Sequence, residues 1–402
     1  MSKTWNANRR SVLGIAAALA GAGALPGRLA AQDSGPIRFG ALVPLSGAGG
    51  AWGPSINTSQ RLVIDEVNAA GGVLGRKIEL ITEDSQTNPE NAVRAAHKLI
   101  DADQVVTIMG TWASAVCSAV APLCWQAHVM LIIIGAADSI TELPHQGYII
   151  RTQPNTHLQA EQFARFASLE AARHLYIMMP QTPFTASNFA AVSTLCATSG
   201  IKVSTAIYDA KKTSFRSEVD AMMRAAPDMV MAGGYQPDTI VLAKDIYRAN
   251  YRGKVIGYAY AVNEQFVAGV GKAVAEGIFA VEPVPDAGST AYARLAARLG
   301  RAHLDTYACQ GYDEANLAVL AIAAARQASG TAIRDYVRRI GDPDGVKVDN
   351  AVDGMKALAD GKTINYLGAS GPCKFTPLGD VVSSNFRVTV VKDGAFVLSR
   401  AL

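Results

Sequence analysis

The chain has 402 residues, half of them apolar, and a formal net charge of +3. That length and apolar content suffice for two domains with full cores. Residues 1–31 carry Lys3, Arg9, Arg10 and Arg28 and no acidic residue, so without them the charge falls to −1, and bulk basicity gives no ground for a nucleic-acid or membrane-surface binder.

Those first residues read as a secretory signal, cleaved from the mature protein. A basic start leads into a run from Val12 to Leu25 made almost wholly of Ala, Gly, Leu, Ile and Val. Pro26 and the small-residue site Leu29-Ala30-Ala31 follow. The run is too short to span a membrane comfortably. Asn8-Arg9-Arg10-Ser11-Val12-Leu13 is a twin-arginine pattern, with Val12 where an aromatic is usual, so Tat and Sec export both stay open.

Beyond the leader, an apolar strand at 37–43 ends in Pro44-Leu45-Ser46-Gly47. A Gly/Ala loop with Trp52-Gly53 then opens a helix at 54–69, whose Ile56, Val63, Val67 and Ala70 share one stripe. Gly71-Gly72 stops that helix, and a second strand follows at 76–82. The pattern predicts further strands at 105–110, 128–134, 174–179, 201–207, 228–232, 254–258 and 276–281. Helices are expected at 89–102, 113–126, 156–171, 186–198, 214–225, 237–249 and 262–271. Such alternation implies parallel sheets covered by helices, and strand ends that meet helix starts are where open sheets bind ligands. A break at 135–155, with Gly135, Pro144, Gly147 and Pro154 and little regular structure expected, favours two lobes over one large sheet. After 281 the reading is an extended crossing at Glu282-Pro283-Val284-Pro285, helices at 289–304, 311–328 and 331–340 with no obvious strands between them, and a hairpin at 385–391 and 395–399 turning at Lys392-Asp393-Gly394.

Catalytic and metal chemistry find little footing. Five cysteines (117, 124, 196, 309, 373) are too few and scattered for a disulfide framework. Cys117 and Cys124, seven apart on one helix, lie roughly 10 Å from each other, beyond disulfide reach, and read as small core residues. The six histidines have no metal-ligand spacing, and no nucleophile elbow, phosphate loop or dinucleotide fingerprint occurs. Asp84, Asp138 and Asp313 read as caps and turn residues. The expectation is a binding protein without a cofactor.

Five further pieces stand at consistent spacing: Gly110-Thr111-Trp112-Ala113-Ser114, Gly135-Ala136-Ala137, Gly147-Tyr148…Arg151-Thr152, Gly233-Gly234-Tyr235 before Pro237, and Gly311-Tyr312-Asp313. With the Gly40–Leu80 run they resemble the leucine/isoleucine/valine-binding family of periplasmic solute receptors, over essentially the whole chain after the leader. The resemblance implies an α/β fold of two doubly wound parallel-sheet lobes joined by a three-segment hinge. It places residues 32–151 and 286–374 in lobe one and 152–285 and 375–402 in lobe two, with crossings near 151–154, 282–285 and 374–379. It also implies a periplasmic receptor, expected to be monomeric, that binds a small molecule and hands it to the permease subunits of an ABC importer. An exported sensory module signalling to a kinase or regulator is the alternative.

Residue by residue, the resemblance makes Ser114 the carboxylate-binding serine, aided by the turn at Ala136 and Ala137. On the residues alone Ser114 is an N-cap position, where free N–H groups and the helix dipole favour an anion; a plain cap is the other reading. Trp52 matches a tryptophan packed over the ligand, while Tyr235 and Phe184 match cleft aromatics of lobe two; ordinary core aromatics are the alternative for all three. Two departures stand out. A family disulfide is absent, its places being Thr87 and Ala113. More telling, members that bind α-amino acids carry a carboxylate just after the strand at 254–258, where this chain reads Gly257-Tyr258-Ala259-Tyr260-Ala261-Val262. A buried ammonium without a counter-charge is costly; Tyr258 and Tyr260 offer only hydroxyls and ring faces. The expected ligand is therefore a carboxylate or amide lacking a free ammonium, with an aromatic or short aliphatic acid suiting Trp52, Trp112, Tyr235 and Tyr260.

Overall fold

The computed structural model describes residues 35–402 except Lys211; the leader and its export signals lie outside the described residues. Alternating apolar strands and amphipathic helices build two sheets. The first comprises β1 (Ile37–Val43), β2 (Ile78–Asp84), β3 (Thr107–Thr111), β4 (Met130–Ile133) and β5 (Ile149–Arg151), all parallel, in the order β2-β1-β3-β4-β5. The second contains β6 (His174–Pro180), β7 (Lys202–Tyr208), β8 (Met229–Ala232), β9 (Lys254–Tyr258) and β10 (Phe279–Val284). A two-stranded piece, β11 (Val346–Val348) and β12 (Ile364–Tyr366), brackets a helix at Ala351–Ala359. The antiparallel hairpin β13 (Asn385–Lys392) and β14 (Ala395–Ala401) completes the second sheet, whose order is β14-β13-β10-β9-β8-β6-β7. Its parallel part repeats the winding of the first, so each lobe has a switch point where strand order reverses, between β1 and β3 and between β6 and β8.

The chain passes between the sheets three times: after β5, after β10 and before β13. The break at 135–155 is more ordered than expected. It holds β5 and a short helix, Asp138–Thr141, because Ile149 and Ile150 are fully buried beside β4. The strands β11 and β12 also escape the pattern, at three residues each too short to show a period. Several predicted strands begin two or three residues early, since apolar residues such as Val105 and Val129 are buried in the lead-in before pairing starts.

Arg151 fixes the first crossing. Its side chain is fully buried, with Nε 2.8 Å from Asp380 Oδ1. It donates to the carbonyls of Gly135 (2.9 Å) and Ala137 (3.0 Å) and to the Thr141 hydroxyl (2.9 Å). Its backbone N–H donates to Gly379 O at 2.8 Å. One guanidinium thus joins the turn after β4 to the segment that precedes β13.

Within lobe one the helices Gly53–Ala69 and Thr306–Ala325 cross closely at Gly311, where a Cβ would lie 2.7 Å from Ile56 O. Between them Gln60 Nε2 donates to Glu314 Oε2 at 2.8 Å, beneath Gly110 at φ +83°, where the β3–β4 register shifts. A Cβ at Gly110 would stand 2.5 Å from Val43 Cγ1, so this backbone turn requires glycine. Burial pushes the Glu314 carboxyl from its ordinary 4.5 up to about 8. The folded state therefore holds a proton that the unfolded chain releases, and this stabilising contribution is complete below pH 4.5 and lost as pH rises toward 8. Glu314→Gln should flatten the fall of Tm between pH 5 and 8, a slope worth on the order of a few kcal/mol in the parent. Equal slopes in parent and variant would refute a buried, protonated Glu314.

Candidate functional site

The two switch points face each other across a cleft whose empty volume, open mouth included, is about 530 Å³. From lobe one, the end of β3 contributes Trp112, Ala113 and Ser114, the turn after β4 contributes Ile134 and Ala136, and Tyr307 comes from the long helix Thr306–Ala325. From lobe two, the end of β6 contributes Met179 and Pro180, and the start of the next helix, Pro183–Thr198, contributes its cap Thr182 with Phe184 and Thr185. The loops after β8 and β9 supply Gly234, Tyr235 and Tyr260, and Gln153 and Gln159 stand at the first crossing. No Asp, Glu, Lys, Arg or His is among these lining residues.

Ser114 is the first residue of the helix Ser114–Gln126, not its cap; Ala113 holds the cap position with extended backbone and no side-chain hydrogen bond. The Ser114 hydroxyl instead accepts from the Ala137 N–H at 3.2 Å. A hydroxyl that accepts one bond keeps its own proton to donate, and Ser114 lines the cleft. The N–H groups of the first helical turn have no intrahelical acceptor and add positive potential at the same end.

Of the seven residues expected at the site, Ser114, Ala136, Phe184, Tyr235 and Tyr260 share the cleft. Ala137 does not line it: the residue is fully buried, its N–H is taken by Ser114 and its carbonyl by Arg151. Trp52 lies in an adjoining chamber, its ring edge-on to Tyr307 with centroids 5.1 Å apart. Gln153, Gln159, Tyr260 and Tyr307 line both chambers and so form the partition between them. The second chamber does hold acids, but they are engaged. Glu282 pairs with Arg387 across β10 and β13, and Asp305 accepts from the Tyr307 and Ala308 N–H groups and the Ser55 hydroxyl. Glu264, the next acid after Tyr260, opens its helix on the exposed surface.

Aromatic rings close the cleft from both sides. Trp112 lies 5.8 Å from Tyr235 and 5.7 Å from Tyr260, ring centre to ring centre, and so touches lobe two directly. Its ring is seated on Gly49, where a Cβ would come within 2.7 Å of the indole; the Gly/Ala loop after β1 exists to receive it. Thr87, one of the places of the absent disulfide, holds that loop by accepting from Gly49 N–H at 2.9 Å and donating to Ser46 O at 3.2 Å. Tyr260 stacks on Tyr258 (5.4 Å, 17°), and Phe184 meets both edge-on. Burial pushes the Tyr235 hydroxyl up to about 12 and that of Tyr260 well above its ordinary value, so both remain neutral donors and acceptors.

Sequence reasoning missed Tyr307, Gln153 and Gln159, and noted Trp112 without assigning it to the site. The helix bearing Tyr307 begins at Thr306, five residues before the expected 311, because Asp305 caps it. Gln159 did leave a signal: it shares the stripe Thr156, Ala160, Phe163 and Ala167 on the buried face of its helix, and a polar residue in such a stripe is the informative one.

Comparison with known proteins agrees with this architecture. The family profile described as periplasmic binding protein matches residues 36–395. A Leu/Ile/Val-binding protein homolog 8 of Brucella abortus is 27% identical over 354 residues, 83% of each chain. Among solved structures, the leucine binding protein LivK of Thermotoga maritima superposes with a TM-score of 0.79 at 18% identity, covering 91% of this chain and 98% of that one. A solute binding protein of an ABC transporter from Rhodopseudomonas palustris, in complex with 4-hydroxybenzoate, superposes with a TM-score of 0.74 at 18% identity, covering 91% and 96%. The profile spans nearly all the described residues and both sheets, and the chain belongs to the leucine/isoleucine/valine-binding family of periplasmic binding proteins.

Proposed function

We propose that this protein is the exported solute-binding component of an ABC importer, working with permease subunits in the inner membrane, and that its ligand is a small carboxylate or amide without a free ammonium, aromatic by preference. The observation that carries this reading is the uncharged cleft wall. One end offers the Ser114 hydroxyl and a helix N-terminus for an anion or carbonyl, while the remaining walls are aromatic rings, small residues and neutral amides and hydroxyls. An α-amino acid would bury its ammonium against tyrosine hydroxyls alone, with the nearby acids committed elsewhere. A flat ring suits walls of Trp112, Tyr235, Tyr260 and Tyr307, which offer apolar area at little cost in frozen rotamers. That a structural neighbour is bound to 4-hydroxybenzoate supports an aromatic acid as ligand for this fold.

Binding and closure are one process in this reading. Ligand held by Ser114 on lobe one is also touched by Tyr235 and Phe184 on lobe two, so it favours the closed arrangement by its differential contacts. The periplasmic binding proteins are a standard instance of such hinge closure.

Isothermal titration calorimetry should show benzoate or a substituted benzoate binding about 100-fold or more tighter than leucine. Leucine as the tighter ligand would overturn the reading. Ser114→Ala should weaken the preferred acid by about 5- to 30-fold, the loss of one charge-assisted hydrogen bond, with the fold retained and Tm lowered by a few degrees because the buried Ala137 N–H loses its acceptor. Unchanged affinity would remove Ser114 from the site.

A further inference from the structure

We propose that Gln159 selects the ligand by requiring an uncharged hydrogen-bond donor on it, a hydroxyl or an amide N–H. The inference rests on the ammonium-free reading above and adds a second chemical requirement to it. Gln159 is 2% exposed and stands in the partition that lines both chambers. Its Nε2 donates to Pro154 O at 2.7 Å. A carbonyl oxygen can only accept, so this bond fixes which way the amide faces. The Oε1 atom is therefore presented on the opposite side, and no donor among the described residues meets it.

The local network leaves that oxygen without a donor. Gln153, the neighbouring amide in the wall, turns its oxygen to Gln310 Nε2 and makes no hydrogen bond to Gln159. The first turn of the Gln159 helix is occupied as well: Thr156 N–H donates to Ala136 O at 2.8 Å, and Asn155 caps the Leu158 N–H at 3.0 Å. An acceptor buried in a closed cleft is costly when left unpaired. An occupant with only acceptors or only methyl groups facing Gln159 leaves it so. A hydroxyl or amide N–H satisfies it, and does so without the counter-charge that an ammonium would need. Gln159 thus acts on choice of ligand, while Ser114 holds the group common to all of them.

Calorimetry on the purified protein tests this with benzoate, the three hydroxybenzoates, the matching methoxybenzoates, benzamide and leucine. At least one donor-bearing compound should bind about tenfold tighter than benzoate, and a hydroxybenzoate that does so should also exceed its own methoxy counterpart by that factor. Gln159→Met, which keeps the side-chain length and removes the acceptor, should bring that compound to the level of benzoate, with a thermal melt confirming the fold. Should the variant not fold, the series on the parent protein decides alone. Benzoate binding as tightly as every donor-bearing compound, or a preference that survives in a folded Gln159→Met, overturns the inference and leaves the ammonium-free reading standing. Leucine as the tightest ligand overturns that reading instead, and binding by none of these compounds overturns both.

Discussion

The buried guanidinium of Arg151 is the interaction on which the rest of the arrangement depends. It joins the turn at Gly135 and Ala137 and the short helix that directly follows it, ending at Thr141, to Asp380, far along the chain and ahead of the last crossing. A charge with no exposure is tolerable only because a carboxylate and three further acceptors surround it. The consequence reaches the site directly. The turn that Arg151 holds by two carbonyls presents Ala136 to the cleft and aims the Ala137 N–H at Ser114. The same side chain therefore ties the first crossing to the turn that borders the Ser114 end of the cleft.

The cleft is electrostatically plain by construction. Its charged neighbours are all satisfied by other protein groups: Arg151 by Asp380, Glu282 by Arg387, Asp305 by a helix end. What faces the ligand is a set of neutral hydroxyls, amides and rings, with tyrosines kept protonated by burial. In such surroundings discrimination comes from unpaired polar groups more than from attraction between charges. In the proposed reading Ser114 offers a proton to the ligand and Gln159 an oxygen.

Much of this was legible in the sequence. The alternation of apolar strands and amphipathic helices gave the doubly wound sheets, and glycines with aromatics at strand ends marked the binding edge. The missing acid beside Tyr260 also pointed to an uncharged wall. Other features were hidden for physical reasons. Ile149–Arg151 is three residues long, and its pairing is set by tertiary burial beside β4 rather than by any local period. Ser114 looked like a cap because serine favours that position, but the hydroxyl gains more from the Ala137 N–H across the turn than from its own helix. Trp52 follows the family pattern in sequence, yet Tyr307 stands between it and the main cleft, and the early start of the Tyr307 helix depended on a cap at Asp305 that the reading passed over.

The uncharged cleft between the ends of β3 and β4 and those of β6, β8 and β9 should receive a molecule with no ammonium. The most direct measurement is mass spectrometry of the small molecule released on denaturing protein purified from its native host. A carboxylic acid or amide without a basic nitrogen is the predicted result. A branched-chain or other α-amino acid, recovered in stoichiometric amount, would contradict the account.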